Sequence, residues 1–239
     1  MYNLRFLNNL SIVTFANNFI KLRNMPIPSA KEIWKDTWAS PLKRKQIIAG
    51  TALMMLVVAL LPHFFNNIEK RQGVVLNDWV LALIVPHNVS VSIFAIIWSM
   101  ILFIAIRAIY DPSIYIVYCW SLFFVSVARL SCIALVPLNP PRGLIPLTDP
   151  LTAVFYGNAV VTKDLFFSGH TATLALIFFC LKKRNDRIIG FLATVVVGFL
   201  LLVQHIHYTI DVVTAPIIVY VLYLFTRYLL FRSAERMLN

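Results

Sequence analysis

Six stretches of the chain, 47–65, 89–109, 114–137, 165–181, 188–204 and 208–230, are apolar runs separated by short polar or basic turns. Each has about 17 to 25 residues, the length at which an α-helix crosses a hydrocarbon core. The runs are continuous, whereas the strands of an outer-membrane barrel alternate over about 10 residues, so the pattern predicts helices. The run 79–86 is too short to cross, and Pro86 interrupts its helical pattern. It reads as a half-buried lead-in to the run that begins at Val89. The pattern therefore predicts an all-α, polytopic membrane protein built as a six-transmembrane-helix bundle over 47–231, preceded by segment 1–46 and followed by tail 232–239.

Composition sharpens this picture. Hydrophobic residues make up 60% of the 239 and charged ones only 13%, a balance that a soluble domain of this size would not carry on its surface. No short apolar segment with a small-residue cleavage site opens the chain, so the first span is expected to act as its own insertion signal. Cys119, Cys132 and Cys180 lie singly within apolar runs and read as packing residues.

Charge then orients the bundle. Eight Lys and Arg residues precede Ile47, four (Lys182, Lys183, Arg184, Arg187) follow the fourth run, and Arg227, Arg232 and Arg236 end the chain. With Arg107 they place sixteen cations on one face, against Lys70, Arg71, Arg142 and Lys163 on the other. By the positive-inside rule both termini are cytoplasmic and the loops 66–77, 138–164 and 205–207 face outward. The net charge of +11 is thereby a topology signal with affinity for anionic lipid, and nucleic acid is not an expected partner. Segment 1–46 reads as a basic amphipathic lead on the inner surface, with Trp34 and Trp38 as headgroup anchors.

The candidate chemistry gathers at the outward end. His170 opens the fourth run, and the turn "VQHIHYTIDVV" (203–213) returns the chain to the same face. His207 and Asp211 are four residues apart at a helix start and share a face. The carboxylate can accept from one imidazole nitrogen and leave the other as nucleophile or base. Three ionisable groups at one end of adjacent spans are costly unless used, whereas His63, His87 and His205 read as ordinary packing or interfacial residues. Ser168 is a good helix N-cap, Gly169 allows close approach to the backbone, and the helix start offers an anion site that suits phosphate. Arg129, inside the third run, supplies a guanidinium to that phosphate, or else merely snorkels or pairs with a buried acid.

"FFSGHTATL" (166–174) followed by "HYTIDVVTAP" (207–216) resembles the two C-terminal motifs of the sphingomyelin synthase family, which is related to the type 2 phosphatidic acid phosphatases. Arg129 with "LNPP" (138–141) is similar to the family's arginine and proline-containing loop, and "LND" (76–78) partly resembles its first motif. The resemblance implies a His170, His207 and Asp211 triad, with Arg129, Ser168, Gly169 and Tyr208 around the phosphate. It also implies a glycerophospholipid donor of the headgroup and ceramide or diacylglycerol as acceptor. If water is the acceptor, the same machinery is a lipid phosphatase or a phospholipase C. No cofactor is called for, and no metal: His205 and His207 on a continuous helix would point about 200° apart and no thiolate assists.

A transporter using His, Asp and Arg as a relay is the rival from another class, but a relay spreads its ionisable groups through the bilayer depth and these collect at one interface. The sidedness fits a bacterial inner membrane and a Golgi-like membrane alike, and the sequence leaves a homo-oligomer open.

Overall fold

The computed structural model describes residues 28–147 and 161–235, and over these the chain is helical, with no strand. The helices are α1 (Ala30–Ala39), α2 (Pro41–Glu69), α3 (Ser90–Tyr110), α4 (Pro112–Leu135), α5 (Gly169–Cys180), α6 (Arg184–Val203) and α7 (Thr209–Glu235). Five of them, α2, α3, α4, α6 and α7, are long and apolar enough to cross a membrane. Such a set of helices is that of an integral, multi-pass membrane protein.

The sixth expected crossing differs. Instead of running over 165–181, the helix starts at Gly169, where the Ser168 hydroxyl accepts from the Thr171 amide, and it stops at Cys180 after 12 residues. At 1.5 Å per residue it is about 18 Å long, well short of a hydrocarbon core of about 30 Å. It tolerates this because it faces protein, not lipid: Leu174, Leu176 and Ile177 are fully buried, and α3, α4, α6 and α7 all pack around it. A helix that is apolar on every side is a core helix. The extended residues Leu181 and Lys183 carry the chain on to α6.

The outer helices are the reverse. Ile48, Met55 and Leu60 on α2, and Leu192, Val195 and Phe199 on α6, are exposed apolar side chains. That is the surface expected where the solvent is lipid tail.

The helices from α2 to α7 run between two ends. One end collects the start of α2, the α3–α4 turn and the α5–α6 turn. There Arg107 Nε meets Asp186 at 2.8 Å and Lys182 Nζ meets Asp111 at 2.5 Å. The Trp34 indole of α1 donates to the Ile109 carbonyl at 2.9 Å, so this tryptophan is docked on the bundle while Trp38 stays 42% exposed. Residues 1–27 of the expected amphipathic lead, and 236–239 of the tail, lie outside the described residues. Helix α2 begins at Pro41 and so runs through the expected boundary at 46.

The other end is knitted from loops. Glu69 accepts from the amides of Thr162 and Lys163 at 2.6 and 2.7 Å, Arg71 donates to the carbonyls of Ala134 and Ile133, and Val74 donates its amide to the Pro137 carbonyl while its own carbonyl accepts from the Asn139 amide. The lead-in 79–86 is a loop with a single 3-10 turn at Leu81–Leu83, and it leaves Trp79 and Val85 exposed.

Candidate active site

Two helix starts meet at the loop-rich end. The Ser168 amide, which precedes α5, donates to the main-chain carbonyl of Asp211 in the first turn of α7 at 3.1 Å. This bond locks the two motifs together through backbone alone. His170, on the first turn of α5, and His207, just ahead of α7, then face one another with ring centroids 6.4 Å apart.

His207 is 1% exposed, and its Nδ1 lies 3.5 Å from Asp211 Oδ2, whose side chain is fully buried. The same carboxylate oxygen accepts the Tyr208 amide at 3.1 Å, which fixes it beside the ring. Among the described residues neither nitrogen of His207 has a hydrogen-bond partner. Buried polar atoms are ordinarily satisfied, so an imidazole held by a carboxylate and otherwise unengaged is the kind of exception that calls for a functional explanation. His170 is half-buried, and the ring of Phe94 lies edge-on to it at 5.9 Å.

Arg129 reaches this point from α4. Its Nε donates to the Phe167 carbonyl at 3.2 Å and its Nη2 pairs with Asp164. The pairing with an acid, one of the two alternatives for this arginine, is therefore realised, and it happens beside the head of α5. A Cβ on Gly169 would stand 2.5 Å from Arg129 Cζ, so glycine is needed here for the guanidinium to lie against the backbone. Ser168, fully buried, caps α5 and also accepts from the Thr171 hydroxyl at 3.1 Å.

Tyr208 sits differently from a substrate ligand. Its hydroxyl donates to the Asn139 carbonyl at 2.8 Å and accepts from the Leu76 amide at 3.1 Å, and its ring is buried with Leu81, Leu138, Leu165 and Leu202. It acts as a strut between the outer loops and the His207 turn. His205 likewise is structural: it is 6% exposed, and its ring nitrogens lie 2.9 and 3.0 Å from the Arg142 and Ile84 carbonyls. Its positive φ of 54° breaks the helix, so His205 and His207 are separated by a bend and not by a continuous turn.

Three supporting residues lie outside the expected site set, although Asp78 belongs to the "LND" segment (76–78). Asp78 Oδ2 accepts the Thr209 amide at 2.6 Å and Oδ1 accepts the Thr209 hydroxyl at 3.0 Å, so this loop carboxylate caps α7 from 131 positions away. Burial pushes the Asp78 carboxyl up, but the bonds it accepts from Thr209, Leu81 and Val80 outweigh that and hold it below the usual carboxylate range. Gln204, fully buried, donates to the Ser90 hydroxyl at 2.7 Å and accepts the Val89 amide at 3.1 Å. It ties the His207 turn to the head of α3. Asp164 is the third, and the signal it offered was its place four residues ahead of Ser168, with only Leu165, Phe166 and Phe167 between them.

A search of the curated proteins finds no match to this chain. Residues 163–228, the stretch that holds Asp164, His170, His207 and Asp211, are similar to the family model described as PAP2 superfamily C-terminal.

Proposed function

We propose that the protein transfers a phospho-headgroup from a glycerophospholipid to a second lipid alcohol, with ceramide as the acceptor, through a phosphohistidine. The observation that carries this reading is His207: a buried ring with no hydrogen-bond partner among the described residues, held at 3.5 Å by Asp211 and facing His170 across 6.4 Å. In the first displacement a lone pair on the outward nitrogen of His207 forms a bond to phosphorus. The bond from phosphorus to the diacylglycerol oxygen breaks, and that oxygen takes a proton from His170. In the second, the acceptor hydroxyl gives its proton to His170, its oxygen bonds to phosphorus, and the histidine–phosphorus bond breaks. Asp211 stabilises the charge that His207 acquires, and separate proton transfers of this kind contribute about 10² to 10⁴ each in rate.

The phosphate oxygens fit the head of α5, since the N-terminal end of a helix carries the positive end of its dipole and favours anions. Arg129 uses two of its five donors on Asp164 and Phe167, so further donors serve the phosphate. The match to the phosphatase superfamily supports chemistry at a lipid phosphate, and favours it over a transport relay. By the charge count, this end faces away from the cytoplasm.

The test is to incubate the purified protein with a phospholipid labelled in its headgroup, with and without ceramide, and to follow the label by mass spectrometry. Label in a new sphingolipid is the expected result. Free headgroup phosphate made equally fast with and without ceramide would identify a hydrolase, and release of inorganic phosphate from phosphatidic acid alone would identify a phosphatase.

A further inference from the structure

The far end of the bundle holds a cavity of about 620 Å³, lined by residues of α4, the end of α5, the start of α6 and α7. It arises from the shortness of α5. That helix stops at Cys180, whereas α4 and α7, which flank it, have 24 and 27 residues, so the neighbours extend beyond the point where the core helix stops. The wall from α7 is one face: Tyr220, Tyr223, Leu224 and Arg227 are spaced i, i+3, i+4 and i+7. The Phe179 ring packs against Tyr220 and Tyr223 at 5.1 and 5.7 Å and makes an aromatic floor.

The rim is cationic. Lys182, Arg187 and Arg227 all line the cavity. Lys182 is neutralised by Asp111. Arg187 lies over the Phe178 ring at 5.2 Å and Arg227 over the Tyr223 ring at 5.7 Å, and among the described residues neither forms an ion pair with a carboxylate. Two guanidiniums held by aromatic faces, above a pocket whose walls include Leu224 and Val117, combine a receptor for an anionic phosphate with an apolar seat. The position matters too, because Tyr and Arg at the end of a membrane helix sit at headgroup level, and basic pockets between such helices hold anionic headgroups.

We infer that this cavity binds one anionic phospholipid from the leaflet opposite the active site, with Arg187 and Arg227 on its phosphate. The site is separate from His170 and His207 and does not depend on the reaction they perform.

The test uses the full chain in a neutral detergent, with thermal denaturation and native mass spectrometry as readouts. Phosphatidylglycerol is expected to raise the melting midpoint and to remain bound as one molecule, while phosphatidylcholine does neither. The double variant Arg187→Gln/Arg227→Gln should lose about 30-fold in phosphatidylglycerol affinity while its helical circular dichroism and its headgroup release stay unchanged. Arg187→Lys/Arg227→Lys, which keeps both charges, should retain most of the binding. Millimolar inorganic phosphate should not displace the lipid. Equal stabilisation by phosphatidylcholine, equal affinity in the Gln variant, or a Lys variant as weak as the Gln variant would overturn the inference. Displacement by inorganic phosphate would overturn the lipid assignment in favour of a soluble phosphate.

Discussion

The two ends of the bundle use the same residue types to different effect. At the basic end, Arg107 with Asp186 and Lys182 with Asp111 are complementary pairs in which the cations are 33% and 59% exposed and, although Asp186 is itself buried, each carboxylate has its cation. At the loop-rich end, His207 and Asp211 are 1% and 0% exposed and meet at 3.5 Å, and the ring has no other partner among the described residues. Exposed pairs contribute little to stability, whereas burying ionisable groups is costly. The proposed function rests on this contrast: the loop-rich end is the one where polar groups are buried with bonding capacity to spare.

The strongest way to break this contrast is His207→Ala. Headgroup release measured in detergent, where no gradient exists, should fall by at least about 10⁴-fold, because both displacements pass through that ring. Full turnover in this variant would remove the enzyme reading altogether. Asp211→Asn should cost about 10² to 10⁴ in turnover with little change in melting midpoint, since the amide keeps the shape but not the charge that steadies His207. An unchanged rate would leave Asp211 as a packing residue.

Gly169→Ala sharpens the role of Arg129. The added methyl must displace a guanidinium 2.5 Å away, an overpacking worth about 1 to 3 kcal/mol, and turnover should drop more than the melting midpoint alone explains. The smallest pair of effects compares one charged residue from each end. Asp78→Ala removes the cap of α7 and should cost about 1 kcal/mol, a few degrees in thermal denaturation. Lys182→Ala, at an exposed pair, should change the midpoint by less. Because the Asp78 carboxyl is held below its unfolded value, its contribution is present above about pH 3.9 and is lost as pH falls through the folded value. The difference between wild type and Asp78→Ala should therefore shrink on acidification.

How much of this was legible in the chain follows from the range of each signal. The long helices announce themselves by hydropathy, and 89–109 and 114–137 lie within two residues of α3 and α4. The run at 165–181 misleads because hydropathy cannot distinguish burial against lipid from burial against protein, and α5 has the second kind. The candidate set was readable because its signals are local: His207 and Asp211 are one turn apart, and Ser168 signals a cap two residues before His170. "LND" drew notice to Asp78 only as a partial likeness, and neither its bond to Thr209 nor that of Gln204 to Ser90 was readable, since the partners lie 131 and 114 positions away and no periodicity connects them. Tyr208 borrowed its expected role from its neighbour His207, while its own hydroxyl is turned to the loops at Asn139 and Leu76.

The bond from the Ser168 amide to the Asp211 carbonyl belongs to the main chain on both sides. No side-chain replacement at either position deletes its donor or its acceptor, apart from proline at Ser168. The joint between the two motifs is thus insulated from most of the genetic code. Substitutions at His170, His207 and Asp211 can alter protons and charges on a frame that keeps its register, so this site can be taken apart one reaction step at a time.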